Sequence, residues 1–176
     1  MKYLRIKIHP VAFVAFASLG LCFFQTRAAA QFTFQLNSDS SSFSVTGYSG
    51  VGGTVVIPNV VSNLPVTIIA DYAFQGIASI TSLIVPDSVT SIGHNSFASC
   101  SAITSVVIGN GVSTIGVNAF YNNSSLTNII LGSGIENLND GAFQYCQALI
   151  SIYFNGNAPT NVAGTIFVIT QVQIGA

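Results

Sequence analysis

Residues 90–100 read TSIGHNSFASC, and the phrase returns 23 residues on as STIGVNAFYNN (113–123) and again as ENLNDGAFQYC (136–146). Widening each copy aligns TSLIVPDSVTSIGHNSFASCSAI (81–103), TSVVIGNGVSTIGVNAFYNNSSL (104–126) and TNIILGSGIENLNDGAFQYCQAL (127–149) without a gap. A partial copy precedes them at 66–80, with its opening strand at 54–58 (TVVIP) and an insertion, NVVSNL, at 59–64. Another partial copy, ISIYFNGNAP, follows at 150–159. Self-similarity at such a period marks a solenoid, in which each coil has two open flat sides and only stacking closes the core.

Reading down the copies gives the inward columns. Leu83, Val106, Ile129 and Ile152 form one; Val85, Ile108, Leu131 and Phe154 form the next, two residues on, as one face of a strand requires. The columns at Val66, Ile69, Phe74 and Ile80 complete six inward positions per coil. Phe74, Phe97, Phe120 and Phe143 fill the wide side, and the small column Ala73, Ser96, Ala119, Ala142 leaves them room. Gly93 and Gly116, with Ala70 and Asn139 in the same column, mark a sharp turn where glycine or asparagine tolerates positive φ.

The run Ile80-x-x-Leu83-x-Val85 and its copies at Ile103, Leu126 and Leu149 resemble the leucine-rich-repeat strand, and SVTSIGHNSF, GVSTIGVNAF and GIENLNDGAF resemble the BspA-like bacterial subclass. The match runs from about Thr54 to Pro159. It departs from ordinary leucine-rich repeats at Ser88, Gly111 and Gly134, where a buried asparagine is usual, so other bonds must satisfy that loop. The resemblance implies an α/β leucine-rich-repeat solenoid: a right-handed arc with a parallel β-sheet on its concave side and short helical turns opposite. The residues themselves also read as strand, turn, short extended piece and helical turn near the phenylalanine. Residues 31–53 alternate apolar and polar positions around a polar turn and are expected to form an N-terminal β-hairpin cap. The repeats then occupy 54–159. Residues 160–176 break the period and are expected to be either a final strand over the open end or a truncated cap.

The first thirty residues stand apart. Lys2, Arg5 and Lys7 precede the apolar run VAFVAFASLGLCFF, and QTRAAAQ supplies small residues, the layout of a signal peptide cleaved near Ala30. The run spans only ~21 Å at 1.5 Å per residue, short of a ~30 Å hydrocarbon core. The sequence therefore predicts a secreted or cell-surface protein with no membrane insertion after cleavage. Lys2, Arg5, Lys7 and Arg27 are also the only basic side chains, so beyond Ala30 five acids stand alone and the formal charge is near −5. Phosphate neutralisation needs those missing cations, which argues against nucleic-acid partners.

Catalytic and metal chemistry find little footing. Asp71 and His94 share a column one coil apart, with Ser96 close by, but Ser96 belongs to the inward small column, so a triad is not expected. Beyond Ala30, one histidine and inward cysteines supply no ligand cluster, and neither cofactor nor metal is expected. Cys100 and Cys146 lie two coils, ~9.6 Å, apart, too far for a disulfide. Between them Asn123 must find loop carbonyls or open the column.

The parity that turns Leu83 inward turns Ser82 and Ile84 outward. Two rows result: Ser82, Ser105, Asn128, Ser151, and the apolar Ile84, Val107, Ile130, Tyr153. These eight residues are the candidate face for a protein ligand. The competing readings are that β-branched residues merely suit strands, and that Tyr121, Tyr145 and Tyr153 serve as platforms for carbohydrate in a binding or passive scaffold domain.

Overall fold

The computed structural model describes residues 31–157, 159, 161–163 and 173–175. The expected leader and cleavage site lie outside the described residues. The strands, in order, are β1 (Phe32–Leu36), β2 (Phe43–Tyr48), β3 (Gly53–Val56), β4 (Val60–Val61), β5 (Leu64–Ile69), β6 (Ile80–Val85) and β7 (Ser91–Ile92). They continue as β8 (Ser105–Ile108), β9 (Thr114–Ile115), β10 (Asn128–Leu131), β11 (Asn137–Leu138), β12 (Ser151–Phe154), β13 (Asn161–Val162) and β14 (Gln173–Gly175).

Each coil contributes one rung to each of two sheets. One sheet runs β14-β12-β10-β8-β6-β3, and the other β1-β2-β5-β7-β9-β11-β13, with β4 pairing β5. The rungs are parallel and in the register the repeat demands: Leu83 pairs with Val106, and Ile129 with Ile152. All six columns meet in one core, although Phe154 at the end of its column is only partly buried. The phenylalanines stack with ring centroids 4.7, 5.1 and 5.6 Å apart in order along the column. β1 and β2 form an antiparallel hairpin, and β2 also pairs in parallel with β5, Phe43 opposite Val66, so it occupies the place of a preceding coil. Its rings close the aromatic column: Tyr48 stacks on Phe74 at 5.7 Å and Phe32 meets it edge-on at 6.2 Å. The insertion at 59–64 is a second hairpin, turned by Ser62 and Asn63 with φ of 50° and 64°, the left-handed pair of a two-residue turn.

The expected helical turns are absent: no helix occurs among the described residues. Their place is taken by turns with two left-handed residues per coil, Tyr72, Asn95, Asn118 and Gly141 in one column and Gly76, Ser99, Asn122 and Tyr145 in another. A left-handed residue breaks the helical path. The N–H groups of Asn95, Phe97 and Ser99 instead donate to the carbonyls of Val117, Ala119 and Tyr121 in the next coil, at 3.0, 2.8 and 2.8 Å. Those of Ser96 and Ala98 bond within the turn. The chain thus spends alternate donors on its neighbour, which an isolated helix would keep for itself.

Gly93 and Gly116 do not have the expected positive φ. They are required for closeness instead: a Cβ at Gly116 would lie 2.7 Å from the Gly93 carbonyl carbon and 2.9 Å from the His94 nitrogen. Asn139, next in the column, turns its amide to the Ile115 carbonyl at 2.9 Å.

The missing asparagine ladder is replaced elsewhere. Cys100 Sγ donates to the Phe74 carbonyl (3.0 Å), Asn123 Nδ2 to that of Phe97 (2.9 Å), and Cys146 Sγ to that of Phe120 (3.1 Å), each one coil back. Threonine and serine hydroxyls add a second ladder, Thr104 to the Thr81 carbonyl at 3.1 Å and Thr127 to that of Thr104 at 2.9 Å.

Candidate partner-binding face

β6, β8, β10 and β12 hold the apolar row in lateral register, Ile84 against Val107 against Ile130 against Tyr153. Their side chains are 38%, 40%, 42% and 51% exposed. Val56 extends the row by one rung, since it pairs with Ile84 and is 52% exposed. The insertion after β3 displaces Val56 from the 23-residue spacing, but TVV from Thr54 carries the alternation of SLI from Ser82 and would have revealed it.

The adjoining polar row is tied together. Ser82 Oγ and Ser105 Oγ share a hydrogen bond of 3.0 Å, and Asn128 Nδ2 donates to Thr127 Oγ1 at 3.0 Å. Ser151, expected on the surface, is 5% exposed and donates to Asn128 Oδ1 at 2.6 Å. Its hydroxyl therefore serves the ladder rather than the surface. The face therefore presents five apolar side chains bordered by Ser82, Ser105 and Asn128.

Beside the row, the loops after β6 and β8 hold Asp87 and Asn110. Asp87 Oδ1 accepts the Asn110 N–H at 2.6 Å, and Asn110 Oδ1 accepts from Ser133 N (3.1 Å), Ser133 Oγ (3.2 Å) and Asn155 Nδ2 (3.2 Å).

The other groups singled out from sequence do not assemble a reactive site. Asp71 Oδ1 accepts the His94 backbone N–H at 2.7 Å, not the ring. The imidazole lies between the Val117 carbonyl and Asn95 Nδ2, both at 2.8 Å; with the amide donating to Nε2, Nδ1 carries the proton toward the carbonyl. Ser96 is buried and its Oγ has no partner in the protein. Serine, histidine and aspartate thus point to three different tasks. Cys100 and Cys146 are free and buried, and burial pushes both thiols up to about 11. A thiol held protonated is a poor nucleophile. Among the described residues no group of three or more His, Cys, Asp or Glu is placed to hold a metal, and no helix is long and apolar enough to cross a membrane. Tyr121 and Tyr145 meet edge-on at 5.1 Å on the turn side, away from the sheet rows.

Comparison with known proteins gives a consistent picture. The family model described as BspA type leucine rich repeat region, in six copies, matches residues 57–172. A leucine-rich repeat protein from Bacteroides capillosus is similar in structure, with 29% identity, a TM-score of 0.64 and coverage of 72% of this chain and 95% of its own. The leucine rich repeat protein of T. pallidum is 26% identical with a TM-score of 0.56, over 71% of this chain and 69% of that one. A leucine rich cell surface protein from Faecalibacterium prausnitzii is 26% identical with a TM-score of 0.54 over 70% of this chain, which spans only 43% of that protein. No curated protein gives a significant match.

Proposed function

Because the chain belongs to the BspA-type leucine-rich-repeat family, whose model matches residues 57–172, we propose that it is an exported, non-catalytic interaction module that binds a protein ligand on the outer face of its six-stranded sheet, in adhesion or surface recognition. The observation that carries this reading is the unbroken row Val56, Ile84, Val107, Ile130, Tyr153, each side chain 38–52% exposed and all in register. Scattered exposed apolar residues need no explanation, whereas a contiguous patch of a few hundred Å2 marks an interaction surface. Export is supported by the leader-like residues 1–30, and the surface role by analogy with the F. prausnitzii cell surface protein.

The test is replacement of Ile130 and Tyr153 by aspartate. The far-ultraviolet circular dichroism should stay that of the parent while capture of ligand from extracellular protein is abolished; capture at the parental level refutes the assignment. A second reading, carbohydrate binding, is favoured by the exposed rings of Tyr145 and Tyr153. A glycan array separates the two, because binding to sugars with no protein captured would reverse their order.

A further inference from the structure

A hollow lies beside the middle of the apolar row, where β6 and β8 end. A cleft of about 490 Å3 is walled by Ile84, Val107 and Ile130 and rimmed by Asp87, Asn110 and Asn155, a volume in the range of specific ligand clefts. Among the described residues Asp87 is the one ionisable side chain lining it. Its carboxylate is positioned from both sides. Oδ1 accepts the Asn110 N–H, and Gly109 leaves the necessary room, since a Cβ there would lie 2.6 Å from both Asp87 N and Oδ1. That bond occupies Oδ1 and leaves Oδ2 with its acceptor capacity. No lysine or arginine follows Arg27 in the chain, so no described cation neutralises this charge.

We propose that the cleft receives a cationic side chain, arginine or lysine, of an extended protein ligand. This rests on the face assigned above and names the chemistry its partner must bring. Such a side chain suits the cleft in kind: its methylene stem packs against the apolar wall, and its charged head reaches Asp87 Oδ2. Removing the apolar wall weakens the stem contact for any residue. Removing the charge weakens the head contact alone.

The experiment uses the purified chain and two fluorescein-labelled hexapeptides of valine and threonine, one with a central arginine and one with citrulline, its neutral isostere, in that place. Fluorescence anisotropy should show the arginine peptide binding about two- to five-fold tighter, with the advantage shrinking as salt rises. In Asp87→Asn, which keeps an acceptor for the Asn110 N–H and so keeps the parental melting temperature, the advantage should vanish. Ile130→Asn should weaken both peptides alike. Equal affinity of the two peptides for the parent, an advantage that survives in Asp87→Asn, or binding of neither peptide overturns the proposal. If the peptides bind equally but Ile130→Asn still weakens them, the face reading stands and the cationic cleft alone falls.

Discussion

Asn123 offers a sharp test of how this solenoid satisfies its interior, because two substitutions at one site should move stability in opposite directions. The side chain is fully buried between Cys100 and Cys146. Its Nδ2 donates to the Phe97 and Phe120 carbonyls at 2.9 and 2.8 Å, while Oδ1 has no partner. In Asn123→Cys the unsatisfied oxygen disappears, relieving about 1–3 kcal/mol, and one hydrogen bond of about 1 kcal/mol is lost. The new Sγ, set like those of its column neighbours, still donates to the Phe97 carbonyl. The balance is a gain of about 0–2 kcal/mol, at roughly 2–4 °C in Tm per kcal/mol for a domain of this size. Asn123→Ala sheds the same unsatisfied oxygen but removes both donors, strands the Phe97 carbonyl and leaves a void, so the net cost is about 1–3 kcal/mol. Coil spacing of about 4.8 Å brings the introduced thiol within disulfide range of both native ones, so urea and thermal unfolding are measured with a reductant present. An Asn123→Cys protein at least about 1 kcal/mol less stable than the parent, or an Asn123→Ala protein equal to it, would refute the carbonyl-ladder account.

Other expectations follow from the same packing. Phe120→Ala, in the middle of the aromatic stack, should cost about 3–5 kcal/mol, read as a drop in the urea midpoint with little change in slope. Gly116→Ala should destabilise by about 1–3 kcal/mol, because its Cβ meets the Gly93 backbone rather than a movable side chain. Both thiols should stay unreactive to aromatic disulfide reagent in native protein at pH 8 and react once urea unfolds it. Burial holds their folded pKa at about 11 against an ordinary 9.0. Their contribution to stability is therefore complete below pH 9 and lost as pH rises toward 11, since the unfolded thiols ionise first. The two-unit gap corresponds to at most about 2.7 kcal/mol per thiol, and it should be missing from the pH profile of the Cys100→Ala/Cys146→Ala protein.

The amino-acid sequence alone determined the coil length, the lateral register and the identity of the core. A solenoid stacks like on like, so one inward residue announces its counterparts 23 positions away, and Leu83, Phe97 and Ile103 could each be placed by counting. The same counting located the outer row from Ile84 to Tyr153, as strand parity is a local property. What lay beyond it was settled between coils. Whether residues 94–99 wind into a helical turn depends on carbonyls of Val117, Ala119 and Tyr121 that compete for their N–H groups, and no local propensity reports that competition. Ser151 reads as outward by parity yet is buried and bonded to Asn128, and Val56 joins the face only through a pairing that an insertion hides from the period. The cleft at Asp87 is likewise a product of stacking: its wall comes from three coils, and its carboxylate stands where it does because Gly109, a coil later, has no side chain to displace it. Periodicity records which side chains are buried together. Backbone hydrogen bonds and close approaches between coils decide the rest, because those partners are distant in sequence and meet only after the chain has wound upon itself.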